Sequence, residues 1–229
     1  MADTPTCFDS LQVCAMRIAL LGSNGVPLAG ATNGYGTDAL INVDISLDIE
    51  AAEEKTKKNG CGSTKQHYIG DDKIKGAKLG MALCELDLQL AAMMCGGDMI
   101  TRLSDDLVFG WQWPKLADAA PYGVCLEVWT KAWDGNSQAI LDIDVAYWHW
   151  VFPKVKMQLA DHKLEDDFLE FALKGSGLEN PEMSHAGPFQ DWPSDIVALG
   201  GITSAGGLWL ENDLPTSDCD FIVVPAQVS

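Results

Sequence analysis

The sequence has few positive charges, with 15 lysines and arginines against 33 aspartates and glutamates and a net charge of −18. A surface of this charge repels the phosphate backbone of nucleic acids, which argues against a DNA-binding or RNA-binding module. Two roles for the charge stay open: it keeps the protein in solution, or it lets DNA pass close by without being held.

The sequence also lacks long apolar runs. No stretch reaches the roughly 18 consecutive apolar residues that a membrane span needs, and residues 1–10 have neither the basic nor the apolar region of a signal peptide. We therefore expect no membrane partner and no signal peptide. The composition, with 47% hydrophobic and 21% charged residues, is that of a globular protein with a sizeable core.

Known catalytic motifs are missing: there is no GxGxxG or GxxxxGK[ST] phosphate loop, no GxSxG elbow and no HExxH pair. His149 stands between two tryptophans in a strand pattern, which favours a structural role over a general base. Adjacent acidic pairs such as Asp166-Asp167 are expected by chance in so acidic a chain. We expect no enzyme activity, no catalytic residue and no cofactor.

The cysteines do not form a recognisable framework. Their number is odd and no two have the CxxC spacing of many zinc sites, so we expect reduced, mostly buried thiols and no bound metal. The seven are Cys7, Cys14, Cys61, Cys84, Cys95, Cys125 and Cys219.

Several segments alternate apolar and polar residues with the period of a half-buried strand. Residues 16–21 are predicted as a shorter strand, residues 40–50, 74–86 and 124–133 as the alternating strands, and residues 221–224 as a last short strand. The clearest is 40–50, in which Ile41, Val43, Ile45 and Leu47 are expected to pack in the core. Its polar face consists of Asn42, Asp44, Ser46, Asp48 and Glu50.

One short helix is predicted after the third of these strands. Asp87 is suited to the N-cap, the apolar residues that follow it have helical spacing, and Gly96-Gly97 ends the helix.

Residues 51–72 lack apolar periodicity and are predicted to form one long polar loop. Such loops inside a compact domain are usually functional or disordered, and the charge run from Glu53 to Lys58 is either a solvated face or an arm that contacts a neighbouring subunit. The residues assigned to this loop contact are Glu53, Glu54, Lys55, Lys57, Lys58, Asn59, Cys61, Lys65, His67, Tyr68, Asp71 and Asp72.

The rest of the chain gives weaker signals. Pro153 is expected to divide the aromatic segment 140–159 at an edge or bulge, and residues 161–174 fit both a helix and a strand. The eight tryptophans are interpreted as core or interface residues rather than as a sugar-stacking platform. We expect a single domain over residues 1–229, with an N-terminal arm (1–15) and a loop-rich C-terminal section (176–229).

The order of these pieces resembles the major tail tube proteins of siphophages that infect actinobacteria, over roughly residues 16–201. The residues that carry the resemblance are, in order, Met16-Arg17-Ile18-Ala19-Leu20-Leu21, Pro27-Leu28-Ala29-Gly30, the strand 38–50, Lys58-Asn59-Gly60-Cys61-Gly62, Leu83-Cys84-Glu85-Leu86-Asp87, Gly96-Gly97, Leu126-Glu127-Val128-Trp129-Thr130-Lys131, Gly177-Leu178-Glu179-Asn180-Pro181 and Gly187-Pro188. The aromatic segment 147–150 has no counterpart in this pattern.

The resemblance implies a mainly β protein, with a β-sandwich or barrel-like tail tube fold flanked by a short helix. It implies hexameric rings that stack into the tail tube of a virion, assembled in the cytoplasm of a bacterial host, with residues 51–72 reaching across subunits. Its partners would be further copies of the chain, a tape measure protein, and tail terminator and tail tip proteins, with DNA in transient passage. The polar face of strand 40–50 would then line the lumen.

Two other functions remain open from the sequence. The chain would be another ring-forming or tube-forming subunit of a phage or secretion system, such as a head–tail connector, or a carbohydrate-binding β-sandwich module.

Overall fold

The computed structural model describes residues 9–85, 87–104, 107–115, 123–133, 147–160, 171–215 and 219–227. Its elements are β1 (Asp9–Leu20), β2 (Gly30–Thr37), β3 (Leu40–Glu50), β4 (Glu54–Lys58), β5 (Thr64–Ile69), β6 (Lys73–Leu83), α1 (Leu88–Cys95), β7 (Asp98–Thr101), β8 (Val108–Gln112), β9 (Val124–Trp133), β10 (Tyr147–Leu159), β11 (Phe171–Gly177), α2 (Ser194–Ala198), β12 (Gly207–Glu211) and β13 (Asp220–Val224). The predicted mainly β class is confirmed. Neither helix in these ranges has the length and apolar character of a membrane span.

Nine strands form one antiparallel sheet in the order β13-β2-β1-β9-β10-β11-β6-β3, and β12 joins it beside the first half of β10. The thirteen-residue β10 pairs with β12 through Tyr147–Val151 and with β11 through Val155–Leu159. Its pairing with β9 shifts register around Pro153. Pro153 therefore marks a bulge, which is one of the two possibilities (edge or bulge) that the sequence predicted. The proline does not divide the segment into two strands, because β10 continues through it.

The sheet curls, because β3 contacts β1 although four strands separate them in the sheet order. The main core lies inside this curl and is closed from one end by α1. It is built from alternate residues of the predicted strands, including Leu79, Met81, Leu83, Val124, Leu126 and Val128. The alternation of residues 74–86 and 124–133 thus predicted which side chains share the face that packs in the main core, but it did not predict that Cys125, Glu127 and Trp129 on the other face of β9 are buried as well.

The helix α1 begins and ends where the sequence predicted. The Asp87 carboxylate accepts hydrogen bonds from the backbone N–H groups of Gln89 and Leu90 at 3.0 and 3.1 Å. The same carboxylate accepts a 2.5 Å hydrogen bond from the Tyr35 hydroxyl of β2. Gly96 follows the helix with a φ of +79°, a conformation that favours glycine.

A second, smaller core lies on the other face of the sheet, under the segment that follows β11. The buried amide of Asn180 donates to the carbonyls of Gly25 and Pro153, which fixes this segment to the loop between β1 and β2 and to the bulge in β10. Met183, Trp192 and Trp209 then pack on the outer side of β1, β9 and β10.

Three predictions need correction. The segment predicted as an irregular loop contains the hairpin β4–β5, because polar residues satisfy their backbone groups by pairing without apolar alternation. The section 176–229, predicted as loops before the last strand, also holds α2 and β12; β12 is short and its partner β10 is remote in sequence. Residues 9–15 of the predicted N-terminal arm belong to β1.

Candidate assembly surfaces and a buried charged cluster

The hairpin β4–β5, with its flanking residues 51–53 and 70–72, forms an arm whose predicted contact residues are all exposed. Its turn is held by the Asn59 side chain, which accepts hydrogen bonds from the backbone N–H groups of Cys61 and Ser63 at 3.2 and 2.8 Å. Gly62 has a φ of +81°, which the turn requires. The structure therefore brings the twelve residues predicted from Glu53 to Asp72 together on one projecting element.

Polar contacts within the arm are local. Lys55 lies 2.6 Å from Glu53, and the Thr56 hydroxyl lies 3.2 Å from Nδ1 of His67 across the hairpin. At the base of the arm the backbone N–H of Ala52 donates to the Asp72 carboxylate at 2.7 Å. The strands are joined to each other, while no residue from Glu53 to Ile69 is buried.

The polar face of β3 lies on the outside of the curl, away from the main core. On β3 alone it is acidic, but the neighbouring strand β6 places Lys78 2.8 Å from Asp48 and Lys75 3.3 Å from Glu50. The hydrogen bond from Lys78 lowers the pKa of Asp48. The acidic face therefore lacks cations only when β3 is considered alone, because the neighbouring strand β6 brings two lysines to it. Alternation within β3 does not show which strand pairs with β3, so this neighbour was not predicted.

The apolar face of β3 is far more exposed than predicted. Val43 packs against the main core, but Ile45 and Leu47 are 42% and 59% exposed and Ile41 is similar. The prediction that these three residues pack in the core is wrong for the single chain. The reason is that β3 is the last strand of the sheet, and the curl brings no second layer over most of its length.

A cluster of buried charged groups lies on the face of the sheet opposite the main core. The sequence did not predict this cluster. Its centre is Arg17 of β1, whose Nε donates to the Glu127 carboxylate of β9. The other two guanidinium nitrogens bind Asp191 in a bidentate pair at 2.6 and 2.8 Å. The guanidinium also lies over the Phe189 and Trp129 rings, at 4.2 and 5.1 Å from their centroids.

The carboxylate of Glu127 is fully buried and is shared. Trp192 donates its indole N–H to this group at 2.6 Å. Burial alone would lower the pKa of Arg17, but Glu127 and Asp191 more than offset it, so the pKa is raised and Arg17 is charged at all ordinary pH values.

His149 of β10 extends the cluster and is 1% exposed. Its ring stacks on Trp129 at 3.9 Å between centroids and touches Trp209 at 4.2 Å. Nδ1 lies at ion-pair distance, 2.8 Å, from Glu211, although neither ring nitrogen has a partner with full hydrogen-bond geometry. Trp129 donates to the same Glu211 carboxylate at 3.1 Å. The structural role predicted for His149 fits this environment.

The buried charged cluster joins four parts of the chain that are far apart in sequence. Arg17, Glu127 and His149 come from adjacent strands of the sheet, whereas Asp191 and Trp192 come from the segment that covers them and that leads to Glu211 at the end of β12. The cluster therefore holds the C-terminal segment to the sheet. The sequence carries no local signal for the cluster, because β9 and β10 also contain other ionisable residues, such as Lys131 and Lys154.

The tryptophans divide between these regions. Trp129, Trp192 and Trp209 are buried in or beside the cluster, and Trp150 donates its indole N–H to the Thr130 hydroxyl at 3.1 Å. In the described ranges no group of three or more histidines, cysteines or carboxylates has the arrangement of a metal site.

Neither the models of known protein families nor the curated protein sequences give a match to this chain.

Proposed function

We propose that this chain is a structural subunit that assembles with copies of itself into stacked rings, and that it forms the tail tube of a siphophage. The observation that carries the proposal is the open sheet. In the part of the chain that the structure describes, its two terminal strands β3 and β13 are each paired on one side only. A ring of copies joined through these two strands leaves neither of the two edges exposed.

The β3 edge is long, with eleven residues, and β3 also exposes apolar side chains that a single chain does not cover. Exposed edges of this kind pair with other chains unless they are protected. Pairing of β3 of one copy with β13 of the next is heterologous, and such contacts make a ring when the rotation closes. A second heterologous contact along the axis then gives a growing tube.

The arm supplies a second contact. A two-stranded hairpin is marginally stable on its own in water, which indicates that this one is stabilised by a surface outside its own chain. Residues 53–78 contain seven of the 15 basic residues, all lysines, and only four of the 33 acidic ones. The arm and the adjoining β6 are thus cationic on a strongly anionic chain, and attraction to a neighbouring copy follows from the charges.

The net charge also suits passage of DNA through an assembled tube, since carboxylates repel phosphate. The polar face of β3, centred on Asp44 and Asp48, remains the proposed lumen face, now with Lys78 beside it. A tape measure protein inside the tube and terminator and tip proteins at its ends are the corresponding proposed partners.

Charge reversal on the arm tests this proposal. Lys57→Glu with Lys65→Glu changes two exposed arm cations, and Lys154→Glu with Lys156→Glu makes the same change on β10. We expect the arm variant to remain folded and to lose assembly in sedimentation velocity, while the β10 variant assembles as the unmodified protein does. Equal assembly of both variants would contradict the role of the arm.

Deletion of residues 53–70 gives a stricter test. The deletion removes no buried residue, so circular dichroism should show an intact sheet and the product should be a monomer. Tubes of normal length from the deleted protein would overturn the proposal.

A further inference from the structure

A hollow of about 500 Å³ opens beside the end of β13, where the segment that follows β11 covers the sheet. Its apolar walls include Val26, Met183 and Val197, and the ionisable side chains among its described lining residues are Glu182 and His185. The volume lies within the range of ligand pockets, roughly 300–1,000 Å³. We call this the C-terminal hollow.

Hydrogen bonds hold the walls of the C-terminal hollow in place. The Gln227 amide donates to the carbonyls of Pro188 and Pro225, at 2.9 Å each. The Gln190 amide donates to the Ala226 carbonyl. These bonds join the residues that follow β13 to the segment that follows β11, so the hollow is already formed in the single chain.

The chemistry of the hollow suits a cation on an apolar stem. No lysine or arginine is among its described lining residues, and the Glu182 side chain is exposed. The whole section 175–229 contains eight acidic residues and no lysine or arginine. A lysine side chain places a charged end on an apolar stem, which matches a carboxylate beside apolar walls.

The arm carries side chains of this kind. Residues 55–70 contain four lysines and no acidic residue. Lys57, Lys58 and Lys65 are exposed and form no ion pair with another described residue. The arm and the C-terminal section therefore have opposite charge, and two copies attract each other where these surfaces meet.

The strand register places the arm and the hollow at the same end of the sheet. The arm begins where β3 ends, and Glu50 at that end pairs with Lys73 at the start of β6. The same end of the sheet continues through paired residues of the other strands to the end of β13, namely Ala77, Gly177, Val155, Val124, Leu20, Gly30 and Val224. Because β3 and β13 are the two terminal strands, each copy carries the arm at one edge and the hollow at the other.

The length of the arm is sufficient to reach a neighbouring copy. The five-residue β4 is about 17 Å long at about 3.3 Å per residue, which exceeds three strand spacings of about 4.8 Å. No residue from Glu53 to Ile69 is buried, so the arm does not occupy the hollow of its own chain.

We propose that the arm of one copy places its lysines in the C-terminal hollow of the next copy in the same ring, beside the joined β3 and β13 edges. The inference rests on the self-assembly proposed above and identifies the surface that receives the arm. Copies related by a rotation present the arm and the hollow at the same level, because both lie at one end of the sheet. The contact is heterologous and closes with the ring.

Reversing the charge of the hollow tests this contact. Glu182→Lys places a cation where the lysines of the arm bind, and Asp213→Lys makes the same change at an exposed residue of the same acidic section outside the hollow. Both side chains are exposed, so circular dichroism and thermal midpoints should match those of the unmodified protein. In sedimentation velocity we expect Glu182→Lys to remain a single chain and Asp213→Lys to assemble as the unmodified protein does.

A mixing experiment identifies the two sides of the contact. Deletion of residues 53–70 removes the arm and leaves the hollow, whereas Glu182→Lys alters the hollow and leaves the arm. Their equimolar mixture should give particles of twice the chain mass and no larger, because each pair retains one intact arm and one intact hollow.

Full assembly of Glu182→Lys, loss of assembly by Asp213→Lys, or a mixture that does not double would overturn the inference. If the deletion abolishes assembly and Glu182→Lys does not, the inference alone fails. If the protein without the arm assembles normally, the proposed role of the arm fails and the inference fails with it.

Discussion

Replacing Arg17 by methionine should be among the most destabilising single changes in this protein. The substitution keeps a long side chain but removes the cation that Glu127 and Asp191 share. Asp191 is half exposed and can turn to water. Glu127 is fully buried and is left with the Trp192 N–H and the His149 ring as its remaining polar neighbours.

The size of the effect follows from burial. Removing one partner of a buried ion pair costs about 3–5 kcal/mol, because the remaining charge stays desolvated. In a chain of this length each kcal/mol corresponds to about 2–4 °C in melting temperature. We therefore expect Arg17→Met to lower the melting temperature by about 6–20 °C.

Chemical and thermal unfolding followed by circular dichroism measure this loss, and Lys55→Ala is the matched control. Lys55 also makes a 2.6 Å ion pair, with Glu53, but both side chains are about three-quarters exposed. Such pairs contribute below about 1 kcal/mol. The double variant Arg17→Met, Glu127→Leu should recover part of the loss, because no uncompensated charge is then buried.

A loss of stability for Arg17→Met no larger than that for Lys55→Ala would contradict this prediction. It would mean that the buried charged cluster does not hold the C-terminal segment to the sheet.

Three further predictions follow from individual groups. Burial acts to raise the pKa of Glu211, but His149, Trp129 and Arg17 together more than offset this and hold the pKa below its ordinary value of 4.5. The stability that this group contributes is present above pH 4.5 and is lost as the pH falls through the lowered pKa, so Glu211→Gln should flatten the fall of the urea midpoint below pH 4.5, and an unchanged pH profile would contradict the contact. Burial raises the pKa of Cys95 to about 12, so a thiol reagent should label exposed Cys61 in the native protein and Cys95 only after unfolding; rapid native labelling of Cys95 would contradict its burial. Replacing Asp44 and Asp48 by lysine should still permit tubes but slow DNA ejection, and an assembled tube with both residues on its outer surface would contradict the lumen assignment.

Local patterns in the sequence predicted the strands and the helix well. The alternation in 74–86 and 124–133 and the cap at Asp87 depend on near neighbours in the chain, and their elements appear where the sequence placed them. The hairpin in residues 51–72 had a signal in Asn59 and the glycines around it, but the absence of apolar alternation led to its interpretation as a loop.

Long-range pairing was not predictable in the same way. Whether Ile45 is buried depends on the position of β3 at the end of the sheet, and the partner of Asp48 depends on its register with β6. The buried charged cluster required Arg17, Glu127, His149 and Asp191 to meet from four segments. No local spacing encodes such a meeting.

Electron microscopy of the purified protein over a series of concentrations tests whether this chain assembles into tubes. We expect rings that stack into tubes of constant diameter, with tube length increasing as the concentration rises. A protein that stays monomeric, or that stops at a closed dimer, at the highest concentration would contradict it.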